Sequence, residues 1–292
     1  MNMRPAFTWR LRSQALSLGT RTLVMGIVNV TPDSFSDGGA HASERDAIDH
    51  ALRLLDDGAD LLDIGGESTR PGSAAGTPAA IASAEEQRRV LPVIAGVLRA
   101  RPDAIVSVDT YRSATARLAV ESGAEIVNDV SGLLWDPDMA RTIAELQCGA
   151  ILMHTRGLPS EWQHQNAWPA EEVEPQVRSG LEKSLKEALA AGIERSRIVL
   201  DPGFGFGKRG AENWALLARL DRLTHLGCPF MTGLSRKGFL APSVHASKRD
   251  AHTHAANTIA ILNGAQLVRV HDVAGARIAA DVADATLGAG AR

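Results

Sequence analysis

Residues 23–39 read LVMGIVNVTPDSFSDGG, an apolar run that ends at an asparagine and continues as a polar loop. A buried strand that delivers an amide to its end, followed by a loop rich in Pro, Asp, Ser and Gly, is typical of the active-site rim of a parallel α/β protein. The same pattern recurs along the chain, with a different polar residue after each apolar run. The stretch therefore predicts a parallel sheet whose strand ends carry the functional side chains.

Eight apolar runs of strand length alternate with segments in which apolar residues have helical spacing. Roughly thirty residues per unit suits a closed (β/α)8 TIM barrel of about 250 residues, with its active site at the carboxyl ends of the strands. An open doubly wound sheet is the alternative, but no GxGxxG motif follows the first strand. The expected strands are residues 23–28, 61–64, 105–108, 125–127, 149–153, 197–200, 229–232 and 267–270.

We expect a single domain over residues 1–292, because no low-complexity linker interrupts the alternation. Residues 1–20 are expected to form an N-terminal flap or hairpin that closes the bottom of the barrel. Residues 71–83 are expected to form a flexible loop and residues 158–170 an irregular lid. Helical spacing is present in residues 45–55, 84–99, 175–191 and 250–262.

The composition argues against a nucleic-acid or membrane partner. The formal net charge is -3 and aromatic residues make up 4% of the chain, so it offers neither a basic field nor a stacking surface. The first residues lack the apolar core of a signal peptide, and no apolar run approaches the ~20 residues of a membrane span. Cys148 and Cys228 show no CxxC spacing and are expected to be buried free thiols. We therefore expect a cytoplasmic protein that acts on small molecules.

Hydrogen-bonding or charged residues follow every predicted strand. One such residue often caps a helix, but eight in succession indicate a single convergent site. Among them, Lys208 is expected to be a solvated loop charge and His154 a packed histidine. No HxH or HExxH zinc spacing occurs. The strand-end groups lie at Asn29, residues 63–72, Asp109, residues 128–129, His154, residues 201–208, residues 235–237 and residues 269–272.

Some of these residues suit a flat heterocycle. Asp109, Asn128 and Asp201 offer fixed acceptors and one amide. Apolar Met153 and Phe206, which also follow or end predicted strands, are expected to be their neighbours in the site. A buried carboxylate can accept two hydrogen bonds at once from an amidine-like edge.

The remaining strand ends suit phosphate chemistry. Lys237, Arg269 and His271 are expected to supply positive charge on the opposite side of the site. Thr69-Arg70 and the adjacent glycine turn extend this anion site. Asn29 is in a position to hold a hard cation such as Mg²⁺, which keeps most of its waters and bridges phosphates. The residues thus predict metal-assisted chemistry on a heterocycle and a phosphate.

Seven motifs occur in one order between residues 29 and 272. They are NVTPDSFSDGG (29–39), GESTRPG (66–72), SVDT (107–110), NDVSG (128–132), DPGFGFGK (201–208), SRK (235–237) and VRVHD (268–272). Together they resemble the dihydropteroate synthase family of folate biosynthesis. Several long motifs in order are much more specific than a lone glycine pattern.

The resemblance implies an enzyme that joins 6-hydroxymethyl-7,8-dihydropterin diphosphate to p-aminobenzoate, giving 7,8-dihydropteroate and pyrophosphate. It implies Mg²⁺-assisted loss of pyrophosphate and attack of the amine on a pterin cation. It also implies a homodimer formed through late barrel helices, for which residues 251–262 are a candidate. In the family, the p-aminobenzoate pocket is also where sulfonamides bind.

The resemblance also implies roles for individual residues. Asp109, Asn128, Asp201 and Lys237 correspond to the residues that bind the pterin, and Arg269 with His271 to the pyrophosphate anchor. The loops around residues 33–39 and 68–72 correspond to a mobile pair that closes over the site. The implied roles are catalysis for Asp109, Lys237, Arg269 and His271, substrate binding for Asn128, Met153, Asp201, Phe206, Thr69, Arg70, Phe35, Pro71 and Ser235, and Mg²⁺ binding for Asn29.

Gly238, Thr155 and residues 241–243 depart from the family pattern, and they bear on the p-aminobenzoate pocket more than on pterin binding. With no side chain at Gly238, the p-aminobenzoate carboxylate would rely on backbone N–H groups. Two other functions stay open. One is a methyltetrahydrofolate–corrinoid methyltransferase, which shares the pterin-binding residues but needs no pyrophosphate loop, and the other is a non-catalytic pterin-binding paralogue.

Overall fold

The computed structural model describes residues 4–31 and 39–290. Its strands are β1 (Phe7–Arg10), β2 (Ala15–Leu18), β3 (Leu23–Asn29), β4 (Leu61–Gly65), β5 (Val106–Asp109), β6 (Ile126–Asp129), β7 (Gly149–Met153), β8 (Ile198–Asp201), β9 (Met231–Thr232) and β10 (Leu267–Val270). Its α-helices are α1 (Gly39–Asp56), α2 (Ser83–Ala100), α3 (Ser113–Glu121), α4 (Met139–Leu146), α5 (Ala170–Ala190), α6 (Ala211–Ala218), α7 (Asp250–Leu262) and α8 (Val273–Ala289).

The strands from β3 to β10 form one parallel sheet that curls into a nearly closed barrel. Their order in the sheet is β8-β7-β6-β5-β4-β3-β10-β9. The two ends of this order, β8 and β9, are joined by an isolated bridge between Leu200 and Phe230. One helix follows each strand of the sheet. The predicted (β/α)8 TIM barrel is therefore confirmed, and the open doubly wound alternative is wrong.

Strand boundaries agree with the sequence prediction to within two residues, and β7 and β10 agree at both ends. Every residue of β4, β7 and β8 is buried, because helices cover one face of the sheet and the barrel interior covers the other. The sequence singled out α1, α2, α5 and α7 but not the other helices. None of the described helices is long and apolar enough to cross a membrane.

An antiparallel hairpin of β1 and β2 closes the amino end of the barrel. Its Trp9, Leu11 and Leu18 are buried against a layer of residues that begin the barrel strands, such as Leu23 and Leu61. The indole Nε1 of Trp9 donates a hydrogen bond to the carbonyl oxygen of Arg197, at 2.9 Å. For the described part of residues 1–20, this agrees with the expected hairpin.

We expect Trp9→Ala to destabilise the protein by about 3–5 kcal/mol, because it leaves a cavity and an unpaired carbonyl where the hairpin meets the barrel. The control is Trp214→Ala, since Trp214 on α6 is 45% exposed, and about 1 kcal/mol or less is expected there. Denaturant unfolding of both variants measures the difference. Equal losses would contradict the role of the hairpin as part of the core.

Candidate active site

A charged network links four strands at the carboxyl edge of the barrel. Arg269 of β10 donates from Nε to Oδ2 of Asp63, at 2.5 Å, and from Nη2 to Oδ2 of Asp109, at 2.6 Å. Asn128 of β6 donates from Nδ2 to the same Asp63 oxygen, at 2.8 Å. Two residues that the sequence predicted for the site, Asn128 and Arg269, therefore meet at the Asp63 carboxylate, and Arg269 connects a third, Asp109, to them.

Asp63 is the residue of this network to which the sequence analysis gave no role. It lies within β4, its side chain is fully buried, and its Oδ1 has no hydrogen-bond partner among the described residues. A carboxylate in the apolar strand LLDIG is a signal in itself, because charged residues are almost never fully buried unless they are paired. The carboxylate holds Asn128 and Arg269 in place.

The position of Arg269 corrects one expectation. The sequence analysis placed Arg269 on the opposite side of the site from Asp109, whereas the two side chains form a direct ion pair. Burial opposes the charge on Arg269, but Asp63 and Asp109 outweigh this effect and raise its pKa. Burial also raises the pKa of Asp109 to about 7, although Arg269 opposes the shift. Arg269 is thus committed to two carboxylates in the free protein.

Asp201 and Lys237 are two further charged groups of the site, and each acts electrostatically on the other. Asp201 ends β8, and its Oδ1 accepts a hydrogen bond from the backbone N–H of Gly203, at 2.7 Å. Burial raises the pKa of Asp201 to about 6 and lowers the pKa of Lys237 to about 8, and the attraction between the two groups opposes both shifts. Near pH 7, Asp201 is therefore mostly ionised and Lys237 mostly protonated.

His271 is neutral near pH 7, which corrects the expectation that it supplies positive charge. Burial lowers its pKa to about 3, with Arg236 and Arg269 adding to the shift. The Ser235 hydroxyl accepts from the backbone N–H of His271, at 3.1 Å, and lies 2.8 Å from its Nδ1. A hydroxyl that accepts this bond can donate its own proton to Nδ1, which leaves the imidazole proton on Nε2. Ser235 thus orients the neutral His271 ring, whose Nε2–H is left as a hydrogen-bond donor.

Apolar side chains gather beside these charges. Met153 at the end of β7 is buried in a small cluster, and Phe206 packs against that cluster from the loop after β8. The Nζ of Lys237 lies 4.2 Å from the centre of the Phe206 ring, within the range of a cation–π contact. The cluster comprises Ala75, Tyr111, Val130 and Met153, with Trp135 and Phe206 packed against it. These residues fit the walls of the predicted slot for a flat ring.

The β4–α2 loop, residues 66–82, is clamped near both ends by the segment after β5. Arg112 donates from Nη1 to Oε2 of Glu67, at 2.8 Å, and from Nη2 to the carbonyl oxygen of Ile81, at 2.6 Å. The Tyr111 hydroxyl accepts from the backbone N–H of Gly76, at 2.9 Å. These contacts bind the loop to the strand that carries Asp109.

The tip of that loop is open to solvent. Arg70 and Pro71 are exposed and Thr69 is half-buried, so these predicted substrate-binding residues face outward in this conformation. Phe35 and most of the predicted loop at residues 33–39 lie outside the described residues.

Asn29 ends β3 at the same edge of the barrel, paired in register with Gly65. Gly65 is in turn paired with Asp109, which places Asn29 two strands from that carboxylate. Within residues 4–31 and 39–290, no group of three or more His, Cys, Asp or Glu side chains could hold a metal ion. One amide oxygen suits an ion such as Mg²⁺ that keeps several waters and binds substrate phosphates. The residues fit that mode of binding.

Comparison with known proteins agrees with a barrel site built for a flat heterocycle. The pterin binding enzyme family matches residues 25–271. A dihydropteroate synthase of Streptococcus pyogenes serotype M3 is 42% identical over 254 residues, which cover 86% of this chain and 90% of that protein. The chain belongs to the pterin-binding enzymes and, within them, to the dihydropteroate synthases, which transfer a pterinylmethyl group.

Solved structures agree with this assignment. Xanthomonas albilineans dihydropteroate synthase with 4-aminobenzoic acid matches with a TM-score of 0.86 and 42% identity, covering 97% of this chain and 98% of that one. The same enzyme in complex with 7,8-dihydropteroate matches with a TM-score of 0.82 and 40% identity, covering 96% and 98%.

We expect Asp201→Asn to weaken pterin binding while it stabilises the free protein. The pKa of Asp201 in the folded protein is above 3.8, so its ionisation costs folding free energy, and this cost is fully present above about pH 6. Removing the charge should raise stability at pH 8 by roughly 1–3 kcal/mol. Loss of a charged hydrogen bond should weaken affinity for 6-hydroxymethylpterin by about 10–150-fold.

Thermal melts and titration calorimetry at pH 8 measure the two effects of Asp201→Asn. The matched control is Asp103→Asn, because Asp103 is exposed and precedes the amino end of β5, at the opposite end of that strand from Asp109. An unchanged pterin affinity in Asp201→Asn would remove this residue from the binding site.

Proposed function

We propose that the chain condenses 6-hydroxymethyl-7,8-dihydropterin diphosphate with p-aminobenzoate, giving 7,8-dihydropteroate and pyrophosphate. The observation that carries the proposal is the convergence of Asp63, Asp109, Asn128 and Arg269 at one barrel edge. The complexes of the Xanthomonas relatives with 4-aminobenzoic acid and 7,8-dihydropteroate support the choice of substrate and product. We also propose that the chain acts in the cytoplasm as a single domain.

The pterin is proposed to bind between the charged groups and the apolar cluster. Ionised Asp201 accepts two hydrogen bonds from the amidine-like edge of the ring, and Asn128 supplies an amide to the same ring. Met153 and Phe206 pack on its faces. Lys237, held beside Phe206, donates to a ring acceptor. This arrangement gives Asp201, Asn128 and Lys237 each a group of opposite hydrogen-bonding character on the ligand.

The bond that breaks joins the exocyclic carbon of the pterin to the diphosphate oxygen, and the electron pair leaves with pyrophosphate. The Nε2–H of His271 and the guanidinium of Arg269 stabilise the departing oxygens. Asp109 stabilises the positive charge that develops on the pterin. Asn29 would hold Mg²⁺, which would supply positive charge to neutralise the phosphates. The amine of p-aminobenzoate then forms a bond to the exocyclic carbon and loses one proton.

The second substrate is proposed to bind under the β4–α2 loop, whose tip faces solvent in the free protein. Thr69, Arg70 and Pro71 would approach Phe206 and Ser235 when the β4–α2 loop closes, and Phe35 would complete the pocket. Closure would exclude water, which otherwise captures the pterin cation. We propose that sulfonamides compete for this pocket.

The test of the reaction is an assay of purified protein with pterin diphosphate, p-aminobenzoate and Mg²⁺, with dihydropteroate and pyrophosphate both measured. Equal formation of the two products supports the proposal. Pterin binding without either product would instead support a non-catalytic role, and methyl transfer from methyltetrahydrofolate to a corrinoid would support the methyltransferase alternative.

In the same assay, Arg269→Ala should lower kcat by about 10–100-fold, because a charged hydrogen bond to the leaving group is lost. Arg269→Lys keeps the charge and should recover part of the rate. Arg101→Ala is the control, since Arg101 lies at the end of α2 and pairs with Asp56. Wild-type turnover of Arg269→Ala at saturating Mg²⁺ would exclude this role. Arg269→Ala leaves the buried Asp63 carboxylate without a cationic partner. A melting curve of each variant shows whether this loss unfolds the protein.

We further propose that two copies of the chain associate through α7 and α8. Ile259, Ile278 and Val282 are 45%, 68% and 59% exposed on these two helices, which pack against each other. Exposed apolar side chains on adjacent helices form a patch of the kind that a homodimer buries.

Ile278→Glu should therefore convert a dimer into a monomer, because it places a charge in the apolar patch. Light scattering after size-exclusion chromatography measures the mass. Leu189→Glu is the control, since Leu189 on α5 is 38% exposed and lies outside the patch. A monomeric wild-type protein, or a dimer that survives Ile278→Glu, would rule out this interface.

A further inference from the structure

Lys208 is buried, with 3% of its surface exposed, which corrects the expectation of a solvated loop charge. Burial lowers its pKa to about 7, and Asp201 opposes the shift. A lysine is rarely buried without partners, because transfer of an ammonium group out of water is costly.

The ammonium group of Lys208 binds three backbone carbonyl oxygens. Its Nζ donates to Gly203 at 2.7 Å, to Phe206 at 3.2 Å and to His154 at 3.3 Å. Gly203 and Phe206 belong to the loop after β8, whereas His154 directly follows β7. The three donors of one side chain thus join the carboxyl ends of two neighbouring strands.

The loop between Asp201 and Lys208 needs such a partner because its backbone has an unusual conformation. Gly203, Gly205 and Gly207 all have positive φ, at 66°, 79° and 73°. The approach to β7 is so close that a Cβ at Gly203 would lie 2.0 Å from the carbonyl oxygen of His154. In this conformation the carbonyl oxygen of Gly203 accepts from both the backbone N–H of Phe206, at 3.1 Å, and Lys208, and the carbonyl oxygen of Phe206 accepts from Lys208.

A second side chain fixes the loop from the other end. Asn213 of α6 accepts from the backbone N–H of Gly205 through Oδ1, at 2.8 Å, and donates from Nδ2 to the carbonyl oxygen of Lys208, at 2.9 Å. Lys208 and Asn213 therefore hold the loop on two sides, with Phe206 between their contacts.

We propose that Lys208 is a positioning residue of the pterin site, which acts by fixing the backbone of Phe206 and the adjoining ends of β7 and β8. The inference rests on the proposed function, because Lys208 itself is assigned no contact with substrate. Its influence passes through Met153 at the end of β7 and through the Phe206 ring, over which Lys237 lies. The backbone contacts of Lys208 thereby position the two side chains that are proposed to line the slot.

The first test measures the stability of the loop after β8 directly and does not depend on catalytic activity. Lys208→Met keeps the length and apolar stem of the side chain but removes all three donors. Hydrogen exchange of the amides of Gly203, Gly205 and Phe206, measured by mass spectrometry, should accelerate at least tenfold in this variant. Lys186→Met on α5 is the matched control, since Lys186 is exposed. Unchanged exchange in Lys208→Met would overturn the proposal.

The second test asks whether the loop acts on the ligand. Lys208→Met should weaken binding of 6-hydroxymethylpterin about tenfold or more and raise KM for the pterin diphosphate more than it lowers kcat. Phe206→Leu should weaken binding as well, and the double variant should lose less than the product of the two effects, because Lys208 acts through Phe206. Additive effects, or normal affinity in a folded Lys208→Met protein, would overturn the proposal.

Chemical rescue by an added cation distinguishes loss of the ammonium group from a general loss of folding. Lys208→Ala with added methylammonium should regain part of its pterin affinity, whereas tetramethylammonium, which has no N–H donor, should have no effect. Rescue by both ions or by neither would count against the three-carbonyl site. If the wild-type protein forms no dihydropteroate, the proposed reaction fails, while loop exchange and pterin affinity still decide the role of Lys208.

Discussion

The guanidinium of Arg269, held between Asp63 and Asp109, is the interaction on which the site depends. Two carboxylates lie close together at the barrel edge, and one of them is fully buried. Removing one member of such a buried group leaves an uncompensated charge, at a cost of about 3–5 kcal/mol. Arg269 therefore has a structural role besides its proposed contact with the leaving group. It fixes the strands that carry Asn128 and Asp109 relative to each other.

The charged groups of the same site are electrostatically unfavourable for folding. Burial makes ionisation of Asp201 and protonation of Lys237 less favourable than in water, and both groups are nonetheless mostly charged near pH 7. An unfavourable free energy of this kind is tolerated at functional sites because the rest of the fold is stable enough to offset it. Here that stability comes from apolar strands covered on both faces and from the hairpin around Trp9.

Much of this architecture follows from local sequence signals, since apolar runs locate the strands and the residues after them locate the site. Asp109, Asn128, Asp201 and Lys237 were predicted as site residues in this way. The central role of Asp63, the ion pair of Arg269 with Asp109 and the neutral state of His271 were not. Each depends on which strands become neighbours and how deeply a side chain is buried, and neither quantity is encoded in spacing along the chain. Lys208 was misjudged for the same reason.

The bridge between Leu200 and Phe230 has a consequence for the geometry of the site. Asp201 directly follows one partner of this bridge, and Lys237 lies seven residues beyond the other. The barrel is closed here by a single bridge, whereas β3 and β4 pair over five residues. The relative placement of Asp201 and Lys237 therefore rests on fewer strand-to-strand backbone contacts than that of Asn29 and Asp63, so side-chain and loop contacts around these two residues matter more for holding them in place.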